Sequence, residues 1–394
     1  MINRKDKWFL STAMLAVLCL AVLFLPGCWN NRDLTEINIV TALGIERSED
    51  GKILVTIQVV EPAAIQSTAS GKGKGGGAQP KPVFVLSYEG ETVFDALRSM
   101  LSQVDKRLFL TTAQVLILGE RLSKEGIVEV LDFFQRDHEV NYEMDVLIAR
   151  DVTPAELLEI ENDIDPIPAM YIKKTVENTV SRAKVKRTIL IDLIKELSKS
   201  GRQPVLGQIA KAGKKVVRTE GTAAFKNGKL IGWLDPYATR GFLFATGKVK
   251  STIVNIPADG GKISMEVIRS NGNVDVKLKN GKPVKLIVKV NLEANIGEYE
   301  GERKKVSPDY LHKLEKIFGE EIKKEIGRAI NLAQKKYSSD IFGFGEQLHK
   351  FHPHYWKKVE NNWDDVFSNL PAEIIVNAKI RRTGFIKNPI MKER

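Results

Sequence analysis

The sequence predicts a mixed α/β (α+β) fold with more than one domain, in which helices pack on mixed and antiparallel sheets. Its 394 residues exceed what one hydrophobic core usually serves, so two or three domains are expected. Strand and helix patterns alternate over residues 83–149, which indicates an α/β layer. Residues 249–296 instead show alternating apolar runs between Asp-Gly and Asn-Gly pairs, which indicates an antiparallel meander.

The amino terminus has the composition of a secretory signal. Three basic residues within the first seven positions precede an almost wholly apolar run, residues 8–24, and the small residue Gly27 follows. A basic start, a short apolar core and a small residue before the cleavage point are typical of an exported protein. Residues 1–27 are therefore predicted to be a signal peptide.

The signal ends in a pattern that resembles the bacterial lipobox. Leu25, Pro26, Gly27 and Cys28 give the order of an apolar residue, a spacer, Gly and Cys. In a lipobox the Cys thiol is joined to a diacylglycerol and the chain is cut just before it. The resemblance therefore implies cleavage between Gly27 and Cys28, with a diacylglycerol thioether and N-acylation at Cys28. Two or three acyl chains hold a protein on a membrane without a protein span, and residues 28–33 would be the lipidated tether.

A transmembrane helix over residues 8–27 is the alternative interpretation of this region. A bilayer span needs about 20 apolar residues, and this run is borderline in length. Pro26 and Gly27 interrupt a helix where a span would continue, which favours the lipoprotein interpretation.

Composition limits the chemistry of the exported body. Of the two cysteines, Cys19 lies inside the signal and Cys28 is consumed by the lipid, so no thiol remains for a disulfide or a metal. The net charge is +11; the signal holds three basic residues and one acidic residue, which leaves +9 for the mature chain. A basic body suits an anionic lipid surface, although solvated lysine-rich faces explain the charge equally well. No zinc-finger or RNP motif suggests nucleic acid binding.

Residues 34–203 are predicted to form an amino-terminal α/β region, with a further division between residues 34–150 and 151–203. The region opens with a hairpin closed by an Asp-Gly turn, residues 36–59. Residues 62–82 are rich in Gly, Ser, Ala and Lys and are expected to be a flexible loop. Their glycines lack the spacing and the following helix of a phosphate-binding P-loop, so nucleotide binding is not predicted.

Alternating elements follow this loop. Residues 83–88 are predicted to be a strand, residues 93–104 a helix, residues 109–118 a second strand and residues 145–149 a third. Ser123 is expected to be the N-cap of a helix that precedes the third strand.

Helices are predicted to dominate residues 151–203. The Thr-Pro-Ala-Glu segment at residues 153–156 has the pattern of a capping box with Pro in the first turn, so a helix begins there. Two more helices are predicted over residues 170–182 and 188–198. The second is followed by Gly201, in a position typical of the residue after a helix.

Residues 204–394 are predicted to be a carboxyl-terminal domain. It opens with a hairpin over residues 222–233, and Asp235 with Pro236 then caps a short helix. The antiparallel meander follows as about four runs. Its predicted turns are Asp259-Gly260, Asn271-Gly272 and Asn280-Gly281.

The longest predicted helix covers residues 308–337. Its apolar residues recur three and four apart, which indicates that one face is buried, and it could lie across the meander. Short helices near residues 341–349 and 353–359 and a last strand over residues 373–380 complete the chain.

Three histidines, His349, His352 and His354, are the one cluster that resembles a metal site. Their spacing fits neither the paired histidines of a helical zinc site nor a set with Cys partners, and surface packing explains them better. The sequence has no Gly-x-Ser-x-Gly elbow and no His-Glu-x-x-His motif. No catalytic residue, metal or other cofactor is therefore predicted, and the protein is not expected to be an enzyme.

Motifs at both ends of the chain occur together in one family. Residues 28–34 read Cys-Trp-Asn-Asn-Arg-Asp-Leu and precede the Asp-Gly hairpin. In the second half the motifs are Gly-Thr-Ala-Ala-Phe at residues 221–225, Gly-Trp-Leu at 232–234, Thr-Arg-Gly at 239–241 and Asp-Ile-Phe-Gly-Phe-Gly at 340–345. In this order they resemble the Ger(x)C spore germination proteins, the lipoprotein C subunits of nutrient germinant receptors.

This resemblance implies a three-domain α/β body anchored to the outer face of the spore inner membrane, or of the cell membrane, in complex with two integral-membrane partners. The A subunit also carries soluble domains, and the B subunit looks like an amino-acid transporter. Such receptors respond to nutrients and trigger release of ions and dipicolinate. No reaction is assigned to the C subunit, and nutrient binding by it does not follow from the resemblance.

The leading hypothesis is therefore a non-enzymatic receptor subunit placed beside its partners by the lipid. Trp29 and Arg32, next to the lipidated Cys, are predicted partner contacts. Trp233, Arg240 and Gly241 are further candidates, although a buried aromatic and a glycine-capped helix C-terminus explain these three equally well.

An extracytoplasmic solute-binding lipoprotein of a transporter is the alternative function. It would need two similar lobes around a ligand cleft, and the sequence shows no such internal symmetry. A lipid-anchored cell-wall hydrolase would need a catalytic set, which the sequence does not nominate.

Overall fold

The computed structural model describes residues 8, 12–17, 34–62, 64–65, 81–258, 261–300 and 307–382. Cys28 and its neighbours Gly27, Trp29 and Arg32 lie outside the described residues, as does most of the predicted loop 62–82. Within the described ranges, no helix combines the length and the apolar character that a bilayer span requires.

Ten strands form one mixed sheet, called the main sheet below. They are β1 (Ile37–Arg47), β2 (Ile53–Val60), β3 (Val83–Gly90), β4 (Arg107–Phe109), β5 (Val115–Leu118), β6 (Asp145–Ala149), β7 (Val205–Lys211), β8 (Val217–Arg218), β9 (Thr222–Lys226) and β10 (Lys229–Leu234). The order is β10-β9-β7-β6-β5-β1-β2-β3, with β4 beside β1 and β8 beside β7. The neighbours β1, β5, β6 and β7 are parallel, and the antiparallel hairpins β1–β2 and β9–β10 are those predicted from the turns.

Helices cover both faces of the main sheet. They are α1 (Val93–Met100), α2 (Glu120–Glu125), α3 (Val128–Arg136), α4 (Pro154–Leu158), α5 (Pro168–Val180) and α6 (Leu190–Leu197). Buried residues of α1, α2, α3 and α6 belong to one apolar cluster, and those of α4 and α5 belong to another. The parallel strands β5 and β6 are buried along their whole length, as expected for strands covered on both faces.

Two local predictions in this region are wrong. Residues 109–118 are not one strand, because a 3-10 turn, Leu110–Thr112, separates β4 from β5. Ser123 is not an N-cap: it lies inside α2, where its hydroxyl donates to the Gly119 carbonyl at 2.7 Å. The helix breaks at Gly126, whose φ of 140° is outside the helical range, and α3 starts again after it.

The predicted capping box is confirmed. The Thr153 hydroxyl accepts from the Glu156 N–H at 3.2 Å, and a Glu156 carboxylate oxygen accepts from the Thr153 N–H at 2.9 Å. The second predicted cap is confirmed as well, since Asp235 accepts from two N–H groups in the first turn of α7 (Pro236–Ala245). Both caps satisfy donors that a helix start otherwise leaves without a partner.

Four strands form the second sheet, in the order β11 (Thr252–Ala258), β12 (Gly261–Lys279), β13 (Lys282–Glu300) and β14 (Ala372–Arg382). The first three are the predicted antiparallel meander, and β14 pairs in parallel with β13. The predicted turn at Asn271-Gly272 is wrong because both residues lie within β12. A Cβ on Gly272 would collide with the carbonyl oxygen of Phe244, so this glycine admits the end of α7 against the strand.

The longest helix, α8 (Pro308–Asn331), packs across the inner face of the second sheet and against α7. It continues as a wider π-helical turn, Leu332–Tyr337, so the predicted helix over residues 308–337 is present with a change of pitch. Three short helices follow: α9 (Phe344–Phe351), α10 (Pro353–Val359) and α11 (Trp363–Asn369). Together with the second sheet they enclose a third apolar cluster.

The main sheet continues past the predicted domain boundary at residue 203. Strand β7 pairs with β6, and β9 pairs with β7, so the strands from residues 205 to 234 complete a sheet that begins at residue 37. The two sheets therefore do not divide at residue 203. The domain boundary at 203/204 stays a prediction.

Candidate functional site

A buried ion pair joins α7 to α8 where the two helices cross. Arg240 Nε donates to Glu325 Oε2 at 2.8 Å, and Arg240 Nη2 donates to Glu325 Oε1. A third guanidinium nitrogen, Nη1, donates to the Ile253 carbonyl on β11 at 2.7 Å. The two charged side chains are only 7% and 6% exposed. One arginine therefore connects α7, α8 and the second sheet.

The surroundings of Glu325 have two opposite effects on the pKa of its carboxyl group. Burial raises the pKa of the Glu325 carboxyl, and the hydrogen bond and charge of Arg240 oppose that rise. Because a buried charge is costly unless it is paired, each partner depends on the other.

Gly241 permits this contact. A Cβ at this position would collide with the backbone carbonyl of Glu325, so only glycine lets the two helices approach this closely. Arg240 and Gly241 are both buried in the middle of α7, not at its C-terminus. The structure therefore gives these two predicted contact residues an internal role, because neither reaches the surface.

Trp233, the third candidate in this half, is half-buried at the end of β10. The Arg150 guanidinium lies 5.0 Å from the centre of the Trp233 ring. The Trp233 carbonyl accepts from the Tyr337 hydroxyl at 2.7 Å. Its contacts thus link the main sheet to the turn that follows α8. Trp29, Arg32, Gly27 and Cys28 are outside the described residues, so their roles stay predictions.

Asp340 organises the loop that follows α8. Its Oδ1 accepts from the N–H groups of Phe342 at 3.1 Å and Gly343 at 2.8 Å. Its Oδ2 accepts from the Gly345 N–H at 2.7 Å and from the Trp363 indole N–H at 3.0 Å. Burial raises the pKa of Asp340, and these hydrogen bonds oppose the rise by favouring the carboxylate.

A second buried ion pair lies beside this loop. Lys186 Nζ donates to both carboxylate oxygens of Glu196, at 2.8 and 2.9 Å, and to the Val205 carbonyl at 2.9 Å. Burial lowers the pKa of Lys186 to about 8. The pair joins α6 to the start of β7.

A cleft of about 460 Å³ opens between these groups. Its walls are mostly polar and include Glu196, Arg202, Asp340 and Trp356. Arg202 Nη1 lies 3.5 Å from Glu346, which also pairs with Lys199 at 2.6 Å. Glu346 of α9 therefore pairs with Lys199 and Arg202, two residues of the segment between α6 and β7.

The cleft lies at one identifiable edge of the main sheet. The parallel strands β1, β5, β6 and β7 all begin at this edge, and β9, antiparallel to β7, ends there. The loop after α8 is attached to it, since Ser339 Oγ donates to the Phe225 carbonyl at 2.8 Å and the Gln203 N–H donates to the Asp340 carbonyl at 2.9 Å. The chain also enters β1 here, at Ile37. This edge is called the entry edge below.

The three histidines of the predicted cluster lie near the junction of α9 and α10 and are exposed. His349 stacks on Trp356, with the ring centres 5.8 Å apart. Across the described part of the chain, no three His, Cys, Asp or Glu side chains are grouped as they would be to hold a metal ion.

Sequence reasoning missed Glu325, Lys186 and the role of Asp340. A signal was present for Glu325, because it occupies the apolar stripe of α8 between Ile322 and Ile326. A charged residue at a position that the helical period assigns to the buried face calls for a buried partner. The partner, Arg240, is 85 residues away, and the sequence pattern does not identify it.

The comparisons with known proteins cover almost the whole chain. Residues 30–211 match the family described as "Spore germination protein N-terminal domain", and residues 220–384 match "Spore germination B3/ GerAC like, C-terminal". Spore germination protein KC of Bacillus subtilis (strain 168) is 30% identical, covering 96% of this chain and 97% of its own. Spore germination protein B3 of the same organism is 25% identical, covering 94% of this chain and 98% of its own.

A solved structure with the same fold is also found. The crystal structure of the GerBC protein aligns with a TM-score of 0.54 at 20% identity, covering 86% of this chain and 96% of that chain.

Proposed function

Because this chain belongs to the Ger(x)C family of spore germination proteins, we propose that it is the lipid-anchored C subunit of a nutrient germinant receptor. In this role it acts without catalysis, beside the integral-membrane A and B subunits. The observation that carries the proposal is the match to a 30% identical spore germination protein over 96% of the chain. The two family models match residues 30–211 and 220–384, so both halves of the body support the proposal.

The anchor is the thioether-linked lipid at Cys28. A diacylglycerol with an added N-acyl chain exceeds the two acyl signals that stable membrane attachment needs. The protein is then held on the outer face of the spore inner membrane, or of the cell membrane, without a spanning segment. Trp29 and Arg32 follow the anchor at the level where partner subunits and lipid headgroups meet.

A scaffold role is supported by what the buried charges do. Arg240 and Glu325 join two helices, Asp340 accepts four hydrogen bonds within its own region, and Lys186 pairs with Glu196. Each of these groups is held by hydrogen bonds to other residues of the body. A receptor subunit that acts by contact needs such a rigid body.

The test is germination of spores that carry altered versions of the chain. Cys28→Ala removes the lipid attachment and is expected to reduce the nutrient response through this receptor and the recovery of the protein with membranes. Cys19→Ala is the matched control, because it replaces the other cysteine within the signal and leaves the lipobox intact. A normal response from unlipidated Cys28→Ala protein would overturn the proposal.

A binding measurement distinguishes the proposed receptor subunit from the alternative, a solute-binding lipoprotein. Such proteins need two similar lobes, whereas the described residues form sheets of ten and four strands with different topologies. Calorimetry with amino acids and sugars on the purified protein is expected to show no saturable heat. Stoichiometric nutrient binding would favour the alternative.

A further inference from the structure

An exposed surface at the junction of α9 and α10 combines basic residues with one large apolar side chain. Phe351, at the end of α9, is 59% exposed. Around it the exposed residues are His349, Lys350, His352, His354, Lys357 and Lys358. Residues 349–358 are called the α9–α10 surface.

The charge of this surface has one sign. Residues 347–359 contain three lysines and three histidines and no Asp or Glu. Among the residues that the structure describes, Lys350, Lys357 and Lys358 form no ion pair. Lys350 Nζ instead lies 5.0 Å from the centre of the Phe351 ring. A cationic surface with an exposed aromatic ring is therefore available to a partner of opposite charge.

The attachment of α9 places this surface at the entry edge. The Glu346 N–H donates to the Gly201 carbonyl at 2.9 Å, and Lys226 Nζ lies 2.9 Å from Asp364, so the base of α9 and the start of α11 are both fastened there. Phe344 and Leu348 are buried, and exposure begins at His349. The exposed junction therefore belongs to the part of the molecule that is attached at the entry edge.

The tether limits how far the entry edge can move from the membrane. Only residues 28–33 separate the lipidated Cys from Leu34, where the described body begins. An extended chain spans about 3.5 Å per residue, so this segment reaches about 20 Å. A body held this closely presents the entry edge to the bilayer.

We propose that the α9–α10 surface rests on the anionic lipid headgroups of the bilayer that carries the Cys28 lipid, with Phe351 at headgroup depth. This inference rests on the proposed lipid anchor. Lysines near an anionic leaflet are attracted to it, and aromatic rings flanked by basic residues favour the membrane–water interface. The contact would orient the body, which attachment at a single point does not do.

The test uses the thiol-free mature body. Phe351→Cys supplies a single free thiol in the lipidated full chain, because Cys28 carries the lipid and Cys19 is removed with the signal. The thiol is labelled with an environment-sensitive fluorophore. The protein is then reconstituted into vesicles of phosphatidylcholine alone or mixed with phosphatidylglycerol, each with and without a lipid-borne quencher.

Phe94→Cys is the matched control. Phe94 is 51% exposed and has the Arg98 guanidinium 5.0 Å from its ring centre, so its exposure and its contact with a cation are similar to those of Phe351. Phe94 lies at the opposite edge of the main sheet. It follows Gly90, the last residue of β3, and Gly90 pairs with Ile53. Ile53 in turn pairs with Arg47, the last residue of β1, and the first residue of β1 is at the entry edge.

The expected result is quenching and a blue shift at position 351 in phosphatidylglycerol vesicles, several-fold greater than at position 94. A Lys350→Glu, Lys357→Glu, Lys358→Glu variant is expected to lose the difference. Equal signals at both positions would overturn the proposal. Burial of position 351 only when the membrane subunits are added would overturn it as well, in favour of a protein contact. The mass of the amino-terminal peptide reports the anchor separately, so failure of the lipid contact is distinguishable from failure of the proposed function.

Discussion

Arg240 on α7 and Glu325 on α8 form a two-point ion pair that is buried between the helices. The same arginine reaches the carbonyl of Ile253 on β11. Three elements of the carboxyl-terminal half thus converge on one guanidinium, next to the glycine that lets the helices meet.

Removing the charge of Glu325 is predicted to be costly. Glu325→Gln leaves the Arg240 guanidinium buried without its counter-ion, so the free energy of unfolding should fall by about 3 kcal/mol. Denaturant titration followed by circular dichroism measures the loss. Glu321→Gln is the control one turn earlier on α8, where the carboxylate pairs with Lys324 at the surface and a change below about 0.5 kcal/mol is expected. Equal losses in the two variants would contradict the role given to the buried pair.

Adding a methyl group to Gly241 is predicted to separate α7 from α8. Gly241→Ala places a Cβ against the Glu325 carbonyl, and overpacking of this kind costs about 1–3 kcal/mol. Gly327→Ala on α8 is the control, because its nearest neighbour is an Ile374 methyl at 3.7 Å, which is ordinary contact. Helix propensity should make that variant slightly more stable than the native chain. Thermal unfolding of both variants checks the prediction, and a stable Gly241→Ala protein would count against the close approach.

The carboxylate of Asp340 is predicted to hold the loop before α9. Asp340→Asn replaces one acceptor oxygen by an amide that faces N–H donors, so unfolding free energy should fall by about 2 kcal/mol or more. Trp363→Phe removes only one of the four donors and is expected to cost less at this loop. Hydrogen exchange of residues 340–345 reports the local effect. Unchanged protection of these amides in Asp340→Asn would show that the loop is held by other contacts.

The capping box predicts a dependence of stability on pH. Hydrogen bonds from the Thr153 N–H, from Lys211 and from the Thr153 hydroxyl lower the pKa of Glu156 from 4.5 to about 2. A lowered folded-state pKa means that the stabilisation is full above pH 4.5 and is lost as the pH falls toward about 2. Because the carboxylate is half-exposed, its contribution is about that of an ordinary cap, 1 kcal/mol.

The measurement compares native protein with Glu156→Gln by denaturant titration across this range. The stability difference is expected to be largest at neutral pH and to shrink continuously below pH 4.5. A difference that stays constant down to the acid end would assign the effect to something other than the charge of Glu156.

Locally determined features were predictable from the sequence. The caps at Thr153 and Asp235 depend on side chains two or three residues from the groups that they bind, so the pattern alone reveals them. The hairpin turn at Asn227 and Gly228 is of the same kind, since both residues have positive φ and the turn needs it.

Features set by distant contacts were not predictable. Asn271 and Gly272 resemble a hairpin turn, but the glycine is there to admit the end of α7, which is a tertiary requirement. Arg240 and Gly241 stood out as a motif, and yet their partner Glu325 lies in another helix and no local pattern identifies it. The entry edge likewise depends on strand order, which brings residues 37 and 340 to one side of the sheet only after folding.

We propose that lipid at a single cysteine, Cys28, holds this protein on its membrane. The most direct test is the mass of the amino-terminal peptide from protein extracted from spore membranes. We predict a peptide that begins at Cys28 and carries a diacylglycerol and an added acyl chain, with no residue of 1–27 retained. An unmodified Cys28, or a peptide that still contains the apolar run, would show that the protein is not anchored by lipid at this residue.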